Sequence, residues 1–252
     1  MKKLQYKALM IDLDGTLVKN AQNALPSKRV IETVNKAGEY LHTGIATGRP
    51  LFMIEHILKN VQFSGLSILN DGAQIIDVKT KKVYKEQEIN REDIPSIKEI
   101  LIKEDAPQVA VQDATQDIPF KKSTLPEKIF AIIAFKLSEK QADIITEKIR
   151  NVPTLHAYKF HAWENGFGVN ISHISATKQH GILEVARLLN ISTQEIIGIG
   201  DSYNDFPLLM ACGLKVAMGN AIEDLKAIAD YVAPTVEQDG VADVIEKFIL
   251  SK

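Results

Sequence analysis

Short runs of consecutive apolar residues alternate with amphipathic stretches in the first and last thirds of the chain. A continuous apolar run is typical of a strand buried on both faces, and apolar residues three and four apart indicate a helix with one buried face. This pattern predicts strands at 8–11, 43–47, 66–69, 196–199 and 215–218. It predicts helices at 26–37, 50–58, 178–189, 206–212, 221–229 and 241–250. Such alternation implies an α/β core, in which helices cover both sides of a parallel sheet.

The middle of the chain has a different pattern, with longer strand-like runs and only two helices. Strands are predicted at 84–89, 108–112 and 128–137, helices at 94–103 and 139–150, and strand-like alternation at 154–172. The polar run at 79–82 is typical of a hinge or turn. We therefore predict an inserted α+β domain at 80–174, with residues 1–79 and 175–252 forming one discontinuous core.

Composition and charge exclude several classes of protein. The 252 residues are 45% hydrophobic and 25% charged, as in globular proteins that bury a full core. The net charge of -2 disfavours a nucleic-acid partner. A single cysteine, Cys212, excludes an intramolecular disulfide and a multi-cysteine zinc module. No apolar run approaches the ~18 residues of a membrane span, and no cleavage site follows the N-terminus, so we expect a cytoplasmic protein without a membrane partner. The oligomeric state stays open.

Two acids follow the first predicted strand directly, in the run Asp-Leu-Asp-Gly-Thr-Leu at 12–17. Side chains two residues apart on an extended chain share a face, so Asp12 and Asp14 can point the same way. Two such carboxylates repel unless a cation or a proton lies between them. The alternative interpretation is a polar strand exit, with Gly15 forming the turn that follows it.

A second acidic cluster follows the predicted strand at 196–199, in the run Gly-Asp-Ser-Tyr-Asn-Asp at 200–205. If a helix begins here, Asp201 and Asp205 lie one turn apart, with Asn204 beside them. The alternative for Asp205 is a helix N-cap with an acidic first turn.

Two smaller signals lie between the acidic clusters. Thr47, Gly48 and Arg49 follow the second strand and precede a helix, where a hydroxyl and free N–H groups suit a phosphate oxygen. The alternative for Thr47 is a simple N-cap. Lys178 opens the helix after the inserted domain, where its charge opposes the helix dipole and suggests a compensating anion. The alternative is a lysine in solvent.

The topology predicts that these residues converge. In an open parallel α/β sheet, ligands bind beyond the carboxyl ends of the strands, which is where Asp12, Asp14, Thr47 and Asp201 are expected. Hard oxygen ligands in an incomplete protein cage suit Mg²⁺ completed by water and phosphate.

The order Asp-x-Asp-Gly-Thr-Leu, Thr-Gly-Arg, Lys and Gly-Asp-x-x-Asn-Asp resembles the four motifs of the haloacid dehalogenase superfamily. The insertion between the second and third motifs is similar to the α/β cap of its Cof-type phosphatases, subfamily IIB. The run Asn-Asp-Gly-Ala at 70–73 resembles the Asn-Gly-Ala segment before that cap, with Asp71 as an extra residue. The resemblance covers the whole chain and implies a Rossmann-like core at 1–79 and 175–252. The cap at 80–174 would select the substrate.

The resemblance also implies roles for individual residues. It makes Asp12 the nucleophile that forms an aspartyl-phosphate, and Asp14 the acid that protonates the leaving oxygen and then activates water. It places Mg²⁺ on the Asp12 carboxylate, the Asp14 backbone carbonyl and Asp201. The groups that it implies for phosphate binding are the backbone N–H groups of Leu13 and Gly48 and the side chains of Thr47, Lys178 and Asn204. The residues that it places around these groups, next to the metal, Lys178 or the substrate, are Arg49, Asn70 and Asp205.

The resemblance therefore predicts a Mg²⁺-dependent phosphatase that acts on a small phosphorylated metabolite resembling a sugar phosphate. One alternative is a phosphotransferase or phosphomutase, which returns the phosphoryl group to a sugar. Another is a non-catalytic regulator that binds a phosphometabolite, which the presence of both Asp12 and Asp14 disfavours. Trp163 is expected either to pack within the cap or to contact the substrate.

Overall fold

A computed structural model describes residues 5–121, 124–162 and 166–251. These residues divide into two compact units, one that runs up to Lys85 and resumes at Thr177, and one that spans Glu86–Ala176. The sequence analysis had drawn the corresponding boundaries at 80 and 174. Trp163 lies outside the described residues.

The elements follow one another along the chain in three segments. The first segment of the larger unit contains β1 (Ala8–Ile11), α1 (Lys28–Ala37), β2 (His42–Ile45), α2 (Leu51–Leu58), β3 (Leu66–Leu69), β4 (Gln74–Asp77) and all of β5 (Val83–Glu86) except its last residue. The smaller unit contains α3 (Ile94–Lys103), β6 (Gln108–Gln112), β7 (Asp117–Pro119), β8 (Ala131–Leu137), α4 (Glu139–Arg150), β9 (Leu155–His161) and β10 (Phe167–His173). The last segment contains α5 (Lys178–Leu189), β11 (Ile196–Gly200), α6 (Phe206–Ala211), β12 (Leu214–Ala217), α7 (Glu223–Ile228), β13 (Tyr231–Val232) and α8 (Gly240–Ile245), which continues into a π-helical turn at Glu246–Leu250.

Five parallel strands form the main sheet of the larger unit, in the order β13-β12-β11-β1-β2. Every residue of β1 is buried, as expected of a strand covered on both faces. The chain runs from β1 to β2 on one side and later returns to β11 on the other, so the topological switch point lies between β1 and β11. Ile11 pairs with Ile199, and the N–H of Asp12 donates to the Ile199 carbonyl at 2.9 Å. The predicted α/β core is confirmed.

The strand β3 lies outside the five-stranded ladder of the main sheet. It pairs antiparallel with β4, a strand that the sequence analysis did not predict, in the sheet β3-β4-β5. It meets the segment after β2 at one parallel bridge, between Ala46 and Ile68. A side chain provides a further link, because the N–H of Ile45 donates to the Ser67 hydroxyl at 3.1 Å. An apolar run of four residues carries no information on strand direction, which is why the sequence could not distinguish the two pairings.

The smaller unit has an α+β architecture with its own apolar core. Its sheet has the order β7-β6-β8-β10-β9, and the neighbours pair antiparallel. The run at 154–172 forms two of these strands, β9 and β10, which pair from Leu155 with His173 to His161 with Phe167. Across the described parts of both units, no helix has the length and hydropathy of a membrane span.

A substitution at Gly44 tests the close packing of β2 against β3. A Cβ at this position would lie 2.3 Å from the Leu66 carbonyl oxygen, which belongs to the backbone and cannot move alone. Gly44→Ala should therefore lower the free energy of unfolding by about 1–3 kcal/mol, measured by urea denaturation. The control is Gly38→Ala at the end of α1, where φ is -60° and the nearest atom would lie 3.3 Å away. Equal losses in the two variants would contradict this packing.

Candidate active site

A buried lysine joins two of the acids at the switch point. Lys178 Nζ donates to Asp12 Oδ1 and to Asp205 Oδ1, both at 2.6 Å. The hydroxyl of Thr177 caps α5, which makes Lys178 the first residue of the helix. Burial acts to lower the pKa of Lys178, but the two carboxylates outweigh burial and raise this pKa above its ordinary value. Lys178 is 1% exposed, so the alternative of a lysine in solvent is wrong.

Asp201 follows β11 and completes a group of three close carboxylates. One oxygen each from Asp12, Asp201 and Asp205 lie within 4.8 Å of one another. Burial, and then the charge of Asp205, raise the pKa of Asp201 to about 7. Burial likewise raises the pKa of Asp12 well above its usual value, although Lys178 opposes this increase. Such crowding favours a bound cation, because a cation beside Asp12 and Asp201 stabilises their ionised forms.

Asp205 has a different environment from the other two acids. Besides Lys178, it accepts hydrogen bonds at Oδ2 from the N–H groups of Asp201 and Ser202, at 2.9 and 3.0 Å. Both of its oxygens therefore already have donors. Asp205 is the third residue of the turn at Tyr203–Asp205, whose N-cap is Ser202, and its side chain makes no capping hydrogen bond to α6. The N-cap alternative for Asp205 is therefore wrong, and its carboxylate holds Lys178 and the backbone before the turn.

Asp14 contacts a different cation from Asp12. Arg49 Nε donates to Asp14 Oδ2 at 2.8 Å, and Arg49 Nη2 donates to Asp14 Oδ1. Arg49 is 6% exposed and also donates to the carbonyl groups of Ala21 and Gln22, at 3.1 and 2.8 Å. Because Asp12 and Asp14 bind separate cations, the repulsion expected between neighbouring carboxylates is relieved. The Asp14 carboxylate is not among the three close carboxylates.

The segment after β2 forms a turn of its own. Thr47 is buried, and its hydroxyl accepts a hydrogen bond from the Arg49 N–H at 3.1 Å. Gly48 between them is half-buried. The residue that precedes α2 is Pro50, and no side chain caps this helix. Thr47 is therefore not the N-cap that its alternative interpretation proposed.

The loop after β1 packs tightly against Asp201. Gly15 has a φ of +84°, and a Cβ there would lie 2.3 Å from Asp201 Oδ2. The Thr16 hydroxyl donates to Asp201 Oδ1 at 2.8 Å, and the Asn220 side chain donates to the Gly15 carbonyl at 2.8 Å. The side chain of Leu13 points into the core, where it is fully buried. Only a glycine allows the two loops this approach.

The predicted candidate Asn70 and its neighbour Asp71 make different contacts. The Asn70 side-chain amide donates to Oε1 of Gln74, the first residue of β4, at 2.7 Å. Asp71 Oδ1 instead accepts a hydrogen bond from Asn204 Nδ2, at 3.4 Å. The structure thus brings Asp71 to a residue expected to bind phosphate.

Sequence reasoning assigned no site role to Thr16, Asp71 or Asn220. Thr16 lies inside the first motif, and Asp71 follows a predicted strand, which is the signal that identified Asp12 and Asp201. Asn220 carries no pattern that could have identified it.

The chain is similar to known proteins over nearly its whole length. The model of the haloacid dehalogenase-like hydrolases matches residues 9–118 and 106–245. A 5-amino-6-(5-phospho-D-ribitylamino)uracil phosphatase of Bacillus subtilis is 27% identical over 253 residues, which cover 98% of this chain and 97% of the relative. A phosphoglycolate phosphatase of Methanopyrus kandleri is 26% identical over 244 residues, which cover 96% of each chain. The solved structure of a sugar phosphatase of HAD subclass IIB superposes with a TM-score of 0.79 at 24% identity, covering 96% of this chain and 98% of that one.

Removal of the buried cation should destabilise the protein. Lys178→Met leaves Asp12 and Asp205 buried without the ammonium group, so the free energy of unfolding should fall by about 3 kcal/mol in urea denaturation. The matched control is Lys7→Met, since Lys7 forms a more exposed ion pair with Glu195 at 2.8 Å. That variant should lose less than about 1 kcal/mol. A similar small loss in both variants would contradict the electrostatic role of Lys178.

Proposed function

The chain belongs to the haloacid dehalogenase-like hydrolases, and on that premise we propose that it is a Mg²⁺-dependent phosphatase of a small phosphorylated metabolite. One observation supports the proposal most directly. Asp12 lies at the switch point of the sheet, where it contacts Lys178 and lies next to Asp201. This arrangement supplies a nucleophile, a fixed positive charge and an acidic group for a metal, which are the components that phosphoryl transfer requires.

In the proposed reaction, a carboxylate oxygen of Asp12 bonds to phosphorus while the bond from phosphorus to the ester oxygen breaks. Asp14 gives a proton to that leaving oxygen. Asp14 then takes a proton from a water molecule, whose oxygen attacks phosphorus and releases inorganic phosphate from Asp12. The covalent intermediate divides one difficult hydrolysis into two easier steps. Lys178 offsets the charge that spreads over the phosphoryl oxygens.

The side chains around Asp12 account for binding and proton transfer. The groups proposed to bind the phosphoryl oxygens are the N–H groups of Leu13 and Gly48 and the side chains of Thr47, Lys178 and Asn204. Arg49 donates to both oxygens of Asp14 and so fixes the orientation of the carboxyl group that is proposed to transfer protons. Asp205 keeps Lys178 in place through the contact at 2.6 Å.

The donor set also fits a divalent metal. Asp12 and Asp201 are hard oxygen ligands, and the raised pKa of Asp201, about 7, which reflects burial and then the charge of Asp205, indicates that a cation would stabilise its ionised form. We propose that these two carboxylates and the Asp14 backbone carbonyl hold Mg²⁺. When bound, Mg²⁺ supplies positive charge to the phosphoryl oxygens.

The proposed substrate is a phosphate monoester of a small hydroxyl compound. The relatives named above are called phosphatases of phosphoglycolate and of a phosphorylated ribityl compound. Both names describe such esters, and the ribityl chain resembles a sugar, which supports a sugar phosphate-like substrate. We assign substrate selection to the unit Glu86–Ala176, which interrupts the sequence of the catalytic unit.

Replacement of the proposed nucleophile separates chemistry from folding. Asp12→Asn keeps an oxygen that accepts from Lys178, but an amide cannot attack phosphorus. Turnover of p-nitrophenyl phosphate should fall by at least about a thousandfold, while the melting temperature stays close to that of the wild type. Mass spectrometry should verify that the asparagine has not deamidated. Wild-type turnover in the verified variant would reject the assignment of Asp12.

Metal dependence can be read from stability as well as from activity. Mg²⁺ should raise the melting temperature of the wild type, because the ion binds the native site only, and EDTA should abolish turnover. Asp201→Asn keeps an acceptor for Thr16 but loses a charge, so the increase with Mg²⁺ should disappear. In metal-free buffer this variant should be at least as stable as the wild type.

The control for the metal experiment is Asp224→Asn, which removes an exposed acid from the first turn of α7. This variant should keep the full response to Mg²⁺. An undiminished response in Asp201→Asn, or full activity of the wild type without metal, would contradict the proposed metal site.

A further inference from the structure

Asp71 is a buried acid that the proposed reaction does not use. It is 3% exposed and lies directly after β3, in the turn Asn70–Gly72. The three residues of this turn all have positive φ, with values of 49°, 54° and 108°. A left-handed backbone is unusual for residues other than glycine, and a strained segment persists only where its surroundings hold it.

Two backbone contacts hold the turn against other parts of the site. The N–H of Asp71 donates to the Thr47 carbonyl at 2.9 Å, which attaches the turn to the segment after β2. Gly72 lies against the backbone of Thr177, where a Cβ on Gly72 would be 2.2 Å from the carbonyl oxygen. Because Thr177 precedes Lys178, the turn packs next to the start of α5.

The side chain of Asp71 contacts a third segment of the site, the turn Tyr203–Asp205. Its Oδ1 accepts a hydrogen bond from Asn204 Nδ2 at 3.4 Å. The amide nitrogen of Asn204 carries two hydrogens, so one can bind Asp71 while the other remains for a phosphate oxygen. Asp71 itself is unsuited to bind phosphate, because a carboxylate repels an anion.

We propose that Asp71 is a positioning residue, which fixes the side-chain amide of Asn204 so that its second N–H donates to the bound phosphate. The proposal rests on the proposed function for the identity of that ligand. A side-chain amide turns easily about its last torsion, so a fixed acceptor on one side determines where the remaining donor points. Without Asp71, phosphate binding has to order this side chain, and affinity falls.

A double-mutant cycle tests the proposal, with Asp71→Gly and Asn204→Ala as the single changes. Glycine tolerates the left-handed backbone, so the turn can keep its shape. Calorimetry with inorganic phosphate in Mg²⁺ buffer gives Kd, and hydrolysis of p-nitrophenyl phosphate gives KM and kcat. Asp71→Gly should raise Kd and KM about tenfold, the size expected for a hydrogen bond to a charged group, and change kcat less than about threefold. In the Asn204→Ala background, Asp71→Gly should change Kd less than about twofold.

A conservative variant distinguishes orientation from charge. Asp71→Asn keeps an acceptor oxygen and is compatible with a left-handed backbone, so Kd for phosphate should stay within about threefold of the wild type. A loss as large as that of Asp71→Gly would overturn the proposal. An equal loss from Asp71→Gly with and without Asn204 would also overturn it, because a residue that only stabilises the turn acts independently of Asn204.

The same measurements separate this proposal from the proposed function. If hydrolysis requires Asp12 but Asp71→Gly and Asn204→Ala change Kd independently of each other, only the positioning role is rejected. Coupled effects on phosphate binding, in a protein that hydrolyses no phosphate ester, reject the phosphatase function alone.

Discussion

The arrangement of the site depends on the buried ammonium group of Lys178. Taking ions out of water costs several kcal/mol for each, and a buried pair is tolerated only where close contacts and further hydrogen bonds compensate. Lys178 meets Asp12 and Asp205 at 2.6 Å, and Asp205 gains two more donors from the backbone after β11. The first turn of α5 is therefore fixed by charge on one side. On the other side, Gly181 packs closely against Ile68. A Cβ on Gly181 would lie 2.7 Å from the Ile68 side chain.

The order of the strands explains why acids far apart in the sequence meet. β1 and β11 are neighbours in the parallel sheet, so Asp12 and Asp201 leave it at adjacent positions. Each of the two acids accepts a hydrogen bond, Asp12 from Lys178 and Asp201 from Thr16. The crowding that remains raises the pKa of Asp201 to about 7, chiefly through burial and then through the charge of Asp205. The sheet thus brings together acidic side chains that could hold a metal ion.

The strand β3 lies outside the five-stranded ladder, but the turn that follows it contacts the candidate site. β3 pairs antiparallel with β4, yet the N–H of Thr47 donates to the Ile68 carbonyl at 2.9 Å, and the N–H of Asp71 donates to the Thr47 carbonyl at 2.9 Å. These contacts align the left-handed turn with the carboxyl ends of the parallel strands. A backbone with three successive positive φ values is held there by its neighbours on both sides.

The sequence by itself determined the α/β core and most of the element types, because apolar spacing acts over a few residues, and its motifs indicated the family. The helix at 178–189, for example, has in the structure the limits that its apolar spacing predicted. It also determined which acids follow strands, although their catalytic roles remain predictions. Only the tertiary structure decided the burial of Lys178 and the contact between Asp71 and Asn204. Each of these depends on segments far apart in the chain, and local periodicity reports how one element is buried but not which polar groups of distant elements meet.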